Sequence, residues 1–437
     1  MAWLQVCYGE SRKPGWVLES NCTMALKVLN CIDNIYPVYL KHPSICIDSR
    51  KVKKNAIFFA LKGENFDGNK FAQGAIDRGC SYAIVSEKKH NKNVEQSEKF
   101  ILVENVLATL QELAKHHRKQ LKIPVIGITG TNGKTTTKNL VKDVLIRKYN
   151  TYATHGNLNN HIGVPLSVLS IKRDIEIAII EMGASHQGEI ADLCNIAQPN
   201  YGLITNIGKA HLEGFGSFEG VIKSKKELYN YLSQNNGIAF VNSDNLLLMD
   251  LSDTQKRVTY QSSKKTIKTL LTGKHNIENI MAAMCIGHFF GVEKSEIERA
   301  IESYQPSNNR SQIIKTKKNK VLLDAYNANP MNMEAVINHF SQIKAKNKVI
   351  ILGDMLELGT YSLQEHRAVT ELLKKQNFNR IILVGDNFSK VKNNINCEHF
   401  ADTGAAAVWL KNHKIRDAFI LIKGSRGIGL EKIMDVL

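Results

Sequence analysis

The stretch IPVIGITGTNGKTTTKNLVKDVLIRKY, residues 123–149, predicts a strand, a loop and a helix in direct succession. Its first eight residues are apolar or small, include several β-branched side chains and end at Gly130, a pattern typical of a buried strand. After Lys134, apolar residues recur at helical spacing from Leu140 to Leu145, so one face of the helix would cover a sheet. This order of elements is the context that a phosphate-binding loop requires.

The loop Thr129–Thr136 also has the residue types that a triphosphate needs. Small residues allow backbone N–H groups to point at phosphate oxygens, the Lys134 ammonium suits the β and γ phosphates, and the Thr135 hydroxyl suits Mg²⁺. Ile128 stands where the strict G-x-x-x-x-G-K-[ST] pattern has its first glycine. We predict ATP as the nucleotide, held by Gly130, Thr131, Asn132, Gly133, Lys134, Thr135 and Thr136.

Two further polar residues follow predicted strands. Glu181 ends the run IAIIE, and His211 follows the next strand in NIGKAHLEGFG. Open α/β sheets bind their ligands at the carboxyl ends of strands, so Glu181 and His211 could join Thr135 in holding Mg²⁺ at one or two sites. The alternatives are an exposed strand-terminal carboxylate for Glu181 and a structural histidine for His211.

Alternating strand and helix patterns continue on both sides of this motif. Apolar runs at residues 177–180, 203–207 and 238–241 predict a mostly parallel central sheet. After Pro306 the runs VLLDAY, VIILGD, IILVGD and FILIKG predict a second, smaller doubly wound unit. With 437 residues, the chain is long enough for three domains. We predict an α/β protein with an N-terminal extension of unknown role at 1–23 and domains at 24–120, 121–308 and 309–437.

The formal net charge of +17 predicts a surface that attracts anions. The densest lysine runs, at residues 51–54 and 315–320, lack the interleaved aromatic residues of a nucleic-acid stacking platform. We therefore interpret the charge as a generally basic surface and expect no nucleic-acid partner.

The eight cysteines form no C-x-x-C pair and no Cys/His cluster at zinc spacing, which favours reduced thiols. No apolar run approaches the roughly 20 residues of a membrane span, and the N-terminus has no signal-peptide core. We expect a cytoplasmic protein without stable membrane insertion, acting as a monomer.

The motifs together resemble the Mur ligases of peptidoglycan synthesis, a family that shares its architecture with folylpolyglutamate synthases. TGTNGKTTTK (129–138) is the family's own form of the phosphate loop, and EMGA (181–184), NIGKAHLEGFGS (206–217), GKHNIENIMAA (273–283) and YNANP (326–330) follow in the family's order. The resemblance implies three domains: a uridine-binding domain, a central P-loop ATPase domain with a parallel sheet, and a Rossmann-like C-terminal ligase domain.

Within the family, the N-terminal DSR at Asp48, Ser49 and Arg50 is similar to the uridine-binding domain of the ligases that add the third residue or the terminal dipeptide. DAYNANPMNMEAV and GNLNNHIGVPLSVL resemble the dipeptide-adding branch. The resemblance implies ATP-dependent joining of D-alanyl-D-alanine to UDP-N-acetylmuramoyl-tripeptide through an acyl phosphate. The nearest alternative is addition of a single amino acid to the UDP-muramoyl-dipeptide.

The resemblance also implies roles for individual residues. Asn279 would contact adenine, Arg310 and Asp324 would bring the C-terminal domain to ATP, and Asn157, Asn160 and Asn327 would bind substrate. Lys225 aligns with a family lysine that is carbamylated and helps hold a metal. Here the family's Ala-Lys-Gly-Glu is Ser224-Lys225-Lys226-Glu227, so Lys226 adds a competing amine, and a lysine on a solvated helix face is the alternative reading. The predicted catalytic set is Lys134, Glu181, His211 and Lys225.

Two other classes of protein stay open. A P-loop motor would use the basic surface to track nucleic acid and would show strongly salt-dependent binding. A non-catalytic scaffold would bind ATP without turnover.

Overall fold

The computed structural model describes residues 32–87, 98–262, 268–271, 273–306 and 309–437. These residues form two compact units, the first from the described part of 46–106 and the second from 32–45 and 107–437. Helix α1, Ile32–Lys41, opens the described chain and belongs to the second unit. The predicted extension at 1–23 lies outside the described residues.

The first unit is a small sheet with strand order β1-β2-β3-β4 and one helix packed against it. Strands β2, β3 and β4 pair in parallel. The core consists of apolar strand residues such as Phe58 and Phe100 packed on Ala72 and Ala75 of the helix. The elements are β1 Ile45–Cys46, β2 Ile57–Phe59, α2 Ala72–Asp77, β3 Tyr82–Val85 and β4 Phe100–Leu102.

The central sheet of the second unit has six parallel strands in the order β10-β9-β8-β5-β7-β6. Its strands are β5 Val125–Thr129, β6 Thr151–Ala153, β7 Ile177–Glu181, β8 Tyr201–Ile204, β9 Ile238–Asn242 and β10 Arg257–Tyr260. The helices of this region are α3 Val106–Gln120, α4 Lys134–Leu145, α5 Gly163–Leu169, α6 Glu189–Ala197, α7 Leu212–Phe215, α8 Phe218–Gln234, α9 Leu246–Leu251, α10 Lys274–Phe289 and α11 Lys294–Ser303.

The apolar pattern of α4 explains its place in this layer. Leu140, Val141 and Val144 are fully buried between the sheet and α10, where Ile280 and Ile286 meet them. Because both faces of a parallel sheet are covered, strands such as β5 consist mostly of apolar residues, and all five residues of β5 are buried. The predicted strand, loop and helix of residues 123–149 are confirmed.

The C-terminal sheet has the order β11-β12-β16-β13-β14-β15. Five of its strands are parallel, and four of them, β12, β13, β14 and β16, confirm the predicted doubly wound unit. The fifth, β15, was not predicted, and neither was the edge strand β11, which pairs antiparallel with β12. The elements are β11 Gln312–Lys315, β12 Lys320–Asp324, α12 Pro330–Gln342, β13 Lys348–Gly353, α13 Ser362–Lys374, β14 Arg380–Val384, α14 Asp386–Ser389, β15 Glu398–Phe400, α15 Thr403–Asn412 and β16 Phe419–Lys423.

Candidate active site

A cavity of about 850 Å³ lies in the second unit, where the carboxyl ends of central strands and of C-terminal strands face each other. The phosphate-binding loop of residues 129–136, called the P-loop from here on, and Glu181 line it from the central sheet. Asp324 and Lys423 line it from the C-terminal sheet. Parallel strands bring these residues to one sheet edge, which is why residues far apart in sequence meet there.

Two glycines shape the P-loop. Gly130 has φ 137° and Gly133 has φ 82°, conformations that favour glycine. A Cβ at Gly130 would lie 2.1 Å from Thr205 Oγ1, and one at Gly133 would lie 2.5 Å from Asn279 Oδ1. The loop therefore packs against its neighbours as closely as its backbone allows, which holds its amide groups in place.

Hydrogen bonds from the β8–α7 segment hold the loop. Thr205 Oγ1 donates to Asn132 O at 2.6 Å, and Gly208 N donates to Thr131 Oγ1 at 3.0 Å. Lys134 Nζ donates to Gly130 O at 2.6 Å and to Thr131 O at 3.1 Å. Desolvation lowers the pKa of Lys134 to about 8, against the attraction of Glu181. The ammonium thus folds back over the loop and would exchange these carbonyl partners for the oxygens of a bound phosphate.

Glu181 is 1% exposed at the end of β7. Its Oε1 accepts hydrogen bonds from Thr135 Oγ1 at 3.1 Å and Asn159 Nδ2 at 2.8 Å, and Lys138 Nζ lies 3.3 Å from Oε2. Both oxygens of this carboxylate therefore have polar neighbours, with the Lys138 ammonium beside Oε2. A buried hydroxyl beside a carboxylate is nevertheless a donor set that suits Mg²⁺.

His211, the third predicted metal ligand, lines the same cavity. Its backbone adopts the left-handed conformation at φ 50°, directly before α7. His211 Nδ1 forms an ion pair with Glu357 Oε2, from the loop after β13, and this hydrogen bond lowers the pKa of Glu357. In the described part of the chain, no group of three His, Cys, Asp or Glu residues converges on a metal-sized site.

The lysines of α8 divide clearly between core and solvent. Lys225 is 3% exposed, with Nζ 5.1 Å from the Phe215 ring centroid, whereas Lys223 and Lys226 are exposed. Burial, and secondarily the charge of Lys134, lower the pKa of Lys225 to about 7. The solvated-face alternative therefore fits Lys223 and Lys226. The lowered pKa of Lys225 increases the fraction of uncharged amine, the form that carbamylation requires.

The C-terminal wall presents two cations. Arg310 stacks over the Tyr326 ring at 3.7 Å, and its Nε donates no hydrogen bond to the described residues. Lys423 Nζ donates to Asp324 Oδ2 at 2.7 Å and to Asn327 O at 2.8 Å. All five of these residues line the cavity, so the structure brings the predicted residues Arg310, Asp324 and Asn327 together.

The predicted asparagines have different surroundings. Asn279 lines the cavity but also accepts a hydrogen bond from Thr137 Oγ1 at 3.0 Å, so it braces α4. Asn160 lines the cavity and caps the turn before α5, accepting from Gly163 N at 2.8 Å. Asn157 is exposed and is not among the residues that line the cavity. Its neighbour Asn159 lines the cavity and donates to Glu181.

The predicted uridine-binding residues belong to the first unit. Asp48 accepts hydrogen bonds from the backbone N and from Nε of Arg50, at 3.0 and 2.9 Å, which lower the pKa of Asp48 to about 2. Ser49 begins the short 3-10 helix that Asp48 caps.

The C-terminal domain also reaches the P-loop through asparagines that the sequence analysis did not single out. Asn329 Nδ2 and Asn332 Nδ2 donate to Asn132 Oδ1 at 2.8 and 3.0 Å. Nearby, Lys209 Nζ donates to Glu365 Oε1 at 2.8 Å. Together with the His211–Glu357 pair, these contacts join the nucleotide loop to the C-terminal domain.

The structure adds six polar residues to the predicted site: Lys138, Asn159, Asn329, Asn332, Glu357 and Lys423. Glu357 and Lys423 could have been found by the rule that identified Glu181, because each ends or follows a predicted strand. Lys138 and Asn159 carried no such signal.

No helix in the described residues is long and apolar enough to cross a bilayer.

Profiles of the Mur ligase family match most of the chain. The profile described as Mur ligase family, catalytic domain, matches residues 43–118, the Mur ligase middle domain matches 128–266, and the Mur ligase, glutamate ligase domain, matches 309–426.

Curated relatives align over most of their length. A UDP-N-acetylmuramoyl-tripeptide--D-alanyl-D-alanine ligase from Bacillus subtilis is 32% identical over 425 residues, covering 89% of this chain and 92% of that protein. The protein of the same name from Escherichia coli is 32% identical, covering 90% and 93%.

Solved structures give the same result. MurF from Acinetobacter baumannii superposes with a TM-score of 0.80 at 28% identity, covering 90% of this chain and 92% of that one. MurF ligase from Thermotoga maritima in complex with ADP has a TM-score of 0.78 at 25% identity, covering 91% and 97%.

Proposed function

The chain belongs to the Mur ligase family, and from this premise we propose that it is the ATP-dependent ligase that joins D-alanyl-D-alanine to UDP-N-acetylmuramoyl-tripeptide. One observation carries the proposal. The P-loop residues Lys134 and Thr135 open into the same cavity as Arg310 and Lys423 of the C-terminal domain. A phosphoryl group leaving ATP can therefore meet a substrate held by the other domain.

The first step activates the carboxylate of the tripeptide. A carboxylate oxygen attacks the γ-phosphorus, the bond from that phosphorus to the bridging oxygen breaks, and ADP leaves. Lys134 would move from its backbone partners to the transferring phosphate, where its charge offsets the charge that develops. Arg310 has an unpartnered Nε beside the cavity and would contribute a second cation.

The second step forms the amide bond. The uncharged amine of the dipeptide attacks the acyl carbon, the amine loses a proton, and inorganic phosphate leaves with the electron pair of the bond that breaks. The acyl phosphate must be shielded from water until the amine arrives. The asparagine and ion-pair contacts between the P-loop region and the C-terminal domain hold the cavity walls together for this purpose.

Thr135 and Glu181 would hold Mg²⁺, and His211 and carbamylated Lys225 would serve a second site. The buried Glu181 carboxylate and the adjacent Thr135 hydroxyl fit such an ion. When bound, Mg²⁺ supplies charge stabilisation at the phosphates. Carbamylation of Lys225 joins its uncharged amine to carbon dioxide and releases one proton, which the lowered pKa favours.

The remaining assignments follow the domains. We assign uridine binding to residues 24–120 with Asp48, Ser49 and Arg50, ATP binding to 121–308 with Asn279 at adenine, and ligation to 309–437. Asn157, Asn160 and Asn327 are assigned to substrate. ATP and UDP-linked precursors are made inside the cell, so we place the reaction in the cytoplasm. We propose a monomer, which light scattering after gel filtration would test.

The deciding experiment follows phosphate release with ATP, Mg²⁺, UDP-N-acetylmuramoyl-tripeptide and D-alanyl-D-alanine. We expect release that depends on both substrates and gives a lengthened peptide, with free D-alanine as the control for the dipeptide. Turnover of the UDP-dipeptide with a single amino acid instead would assign the chain to the other branch. ATPase activity stimulated by DNA or RNA would indicate a motor, and ATP binding without turnover would indicate a scaffold.

A further inference from the structure

The charge of residues 309–437 is strongly polarised. This region contains 20 Lys and Arg residues and 12 Asp and Glu residues. Thirteen of the cations belong to the four segments that lead into the amino-terminal ends of β12, β13, β14 and β16: Lys315, Lys317, Lys318, Lys320, Lys344, Lys346, Lys348, Lys374, Lys375, Arg380, Lys411, Lys414 and Arg416. We call this set the basic edge. Three acidic residues share it: Glu371, Glu398 and Asp417.

The rest of the domain has the opposite balance, with seven cations and nine acidic residues: Arg310, Arg367, Lys390, Lys392, Lys423, Arg426 and Lys432 against Asp324, Glu334, Asp354, Glu357, Glu365, Asp386, Asp402, Glu431 and Asp435. A lysine-rich composition spread evenly over the surface would not produce this division. The basic edge is therefore a local feature and needs an explanation beyond the net charge of the chain.

Backbone and amide contacts join the loops of the basic edge into one surface. Asp417 N donates to Lys318 O at 2.9 Å, and Asn319 Nδ2 donates to Ile415 O at 2.9 Å. Asn347 Nδ2 donates to Arg416 O at 3.2 Å. Eleven of the thirteen cations are exposed, all but Lys348 and Arg380. Two of the acids are paired within the edge, Glu371 with Lys374 and Glu398 with Arg380.

The strand direction places this surface away from the active site. The cavity lies at the carboxyl ends of β12 and β16, where Asp324 and Lys423 line it, whereas Lys320 and Phe419 begin the same strands. A partner on the basic edge would leave substrates free to enter.

We propose that the basic edge docks on the surface of a bilayer that contains anionic phospholipids. Clusters of four to eight exposed Lys and Arg residues bind such surfaces electrostatically. Ten of the thirteen cations belong to the three loops 315–320, 344–348 and 411–416, whose apolar side chains are Ala345 and the buried Ile415. A surface of this composition binds a charged plane without inserting into it.

Two other classes of partner fit the chemistry less well. Protein interfaces have an apolar core and are depleted in lysine, which is the reverse of this surface. Single-stranded nucleic acid needs free aromatic faces, but the aromatic rings here are engaged. Phe378 stacks on Phe340 at 5.8 Å, Lys320 Nζ lies 4.7 Å from the Phe419 centroid, and Trp409 stacks on His413 at 4.3 Å.

The test is co-sedimentation of the full chain with two kinds of vesicle. One contains phosphatidylcholine alone, and the other also contains about 30% phosphatidylglycerol, which gives a negative surface potential of physiological magnitude. We expect binding only to the anionic vesicles, weakening as NaCl increases because salt screens the charges. Replacing Lys317, Lys318, Lys344 and Lys346 by Gln should lower the partition coefficient at least about tenfold.

The matched control replaces Lys122, Lys142, Lys256 and Lys294 by Gln, four exposed lysines outside the basic edge, with the same change of net charge. It should lose less than about twofold in binding. Both variants should keep wild-type circular dichroism, so that a folding defect is recognised. Equal losses in the two variants, or equal binding to neutral vesicles, would overturn the proposal. Binding of a DNA duplex without binding to anionic vesicles would assign the edge to nucleic acid. The inference does not depend on the ligase activity.

Discussion

His211 Nδ1 and the Glu357 carboxylate form a hydrogen bond between the segment after β8 and the loop after β13, which follow strands of different sheets. The carboxylate engages Nδ1 of the imidazole and leaves Nε2 available. Carboxylates that hold the second nitrogen of a metal-binding histidine fix the ring's orientation and raise its affinity for the metal. Since Glu357 comes from the C-terminal domain, it would orient a ligand of the ATPase domain only while the two domains are together.

Replacing Glu357 by Gln tests this relationship. We expect the Mg²⁺ concentration for half-maximal activity to rise about ten- to a hundredfold, and Mn²⁺ binding measured by electron paramagnetic resonance with an ATP analogue to weaken in parallel. Glu371→Gln, which removes an exposed carboxylate paired with Lys374, is the control and should change neither value. Unchanged Mn²⁺ affinity in Glu357→Gln would show that the carboxylate does not support the metal site.

Replacing Lys134 by Ala should lower the rate of dipeptide-dependent phosphate release at least about a hundredfold, because the transferring phosphoryl group loses a positioned cation. The effect should fall mainly on kcat. Lys142→Ala removes an exposed lysine from the same helix and should leave kcat unchanged. Activity close to wild type in Lys134→Ala would refute the role assigned to the P-loop lysine.

Lys225 gives a prediction about pH. With its pKa lowered to about 7, the amine is mostly neutral above pH 7 and mostly protonated below it, so carbamylation and activity should fall as the pH drops through 7. Added bicarbonate should raise activity at pH 7.5. Lys225→Ala should be inactive and insensitive to bicarbonate, whereas Lys226→Ala, which removes the exposed neighbour, should behave as wild type.

The same lowered pKa makes Lys225 a cost to stability. In the unfolded chain this lysine keeps its proton up to its ordinary pKa, whereas in the folded chain it releases the proton near pH 7. The free energy of unfolding therefore increases with pH between these two pKa values. Lys225→Met should therefore raise Tm at pH 7, by roughly 2–4 °C for each kcal/mol regained. Lys226→Met should not, and a lower Tm in Lys225→Met would contradict the burial argument.

The sequence predicted the elements whose patterns are local and strong. The P-loop, the apolar strands of both sheets and the strand-end residue Glu181 all depend on short-range periodicity or spacing, and each lies where it was expected. The edge strand β11 was missed because its residues alternate between partly buried and exposed, unlike the continuous apolar runs of the strands that were predicted. The short edge strand β15, Glu398–Phe400, was missed because it contains no apolar run. Glu357 was missed for another reason. Its position after a predicted strand was a usable signal, but its role was not, because its partner His211 is far away in the sequence and the two meet only through the approach of two sheets.

Asn329 combines a local and a long-range role that mutations can separate. Its side chain caps α12, accepting from Asn332 N at 3.0 Å, and it also donates to Asn132 Oδ1 at 2.8 Å in the P-loop. Asn329→Ala should lose both contacts and destabilise the chain by about 1 kcal/mol through the cap alone. Asn329→Ser keeps a capping oxygen but is too short to reach Asn132. We expect the serine variant to keep the wild-type Tm within error, while both variants raise the KM for ATP severalfold. A serine variant with normal KM would show that the asparagine contact does not stabilise the nucleotide loop.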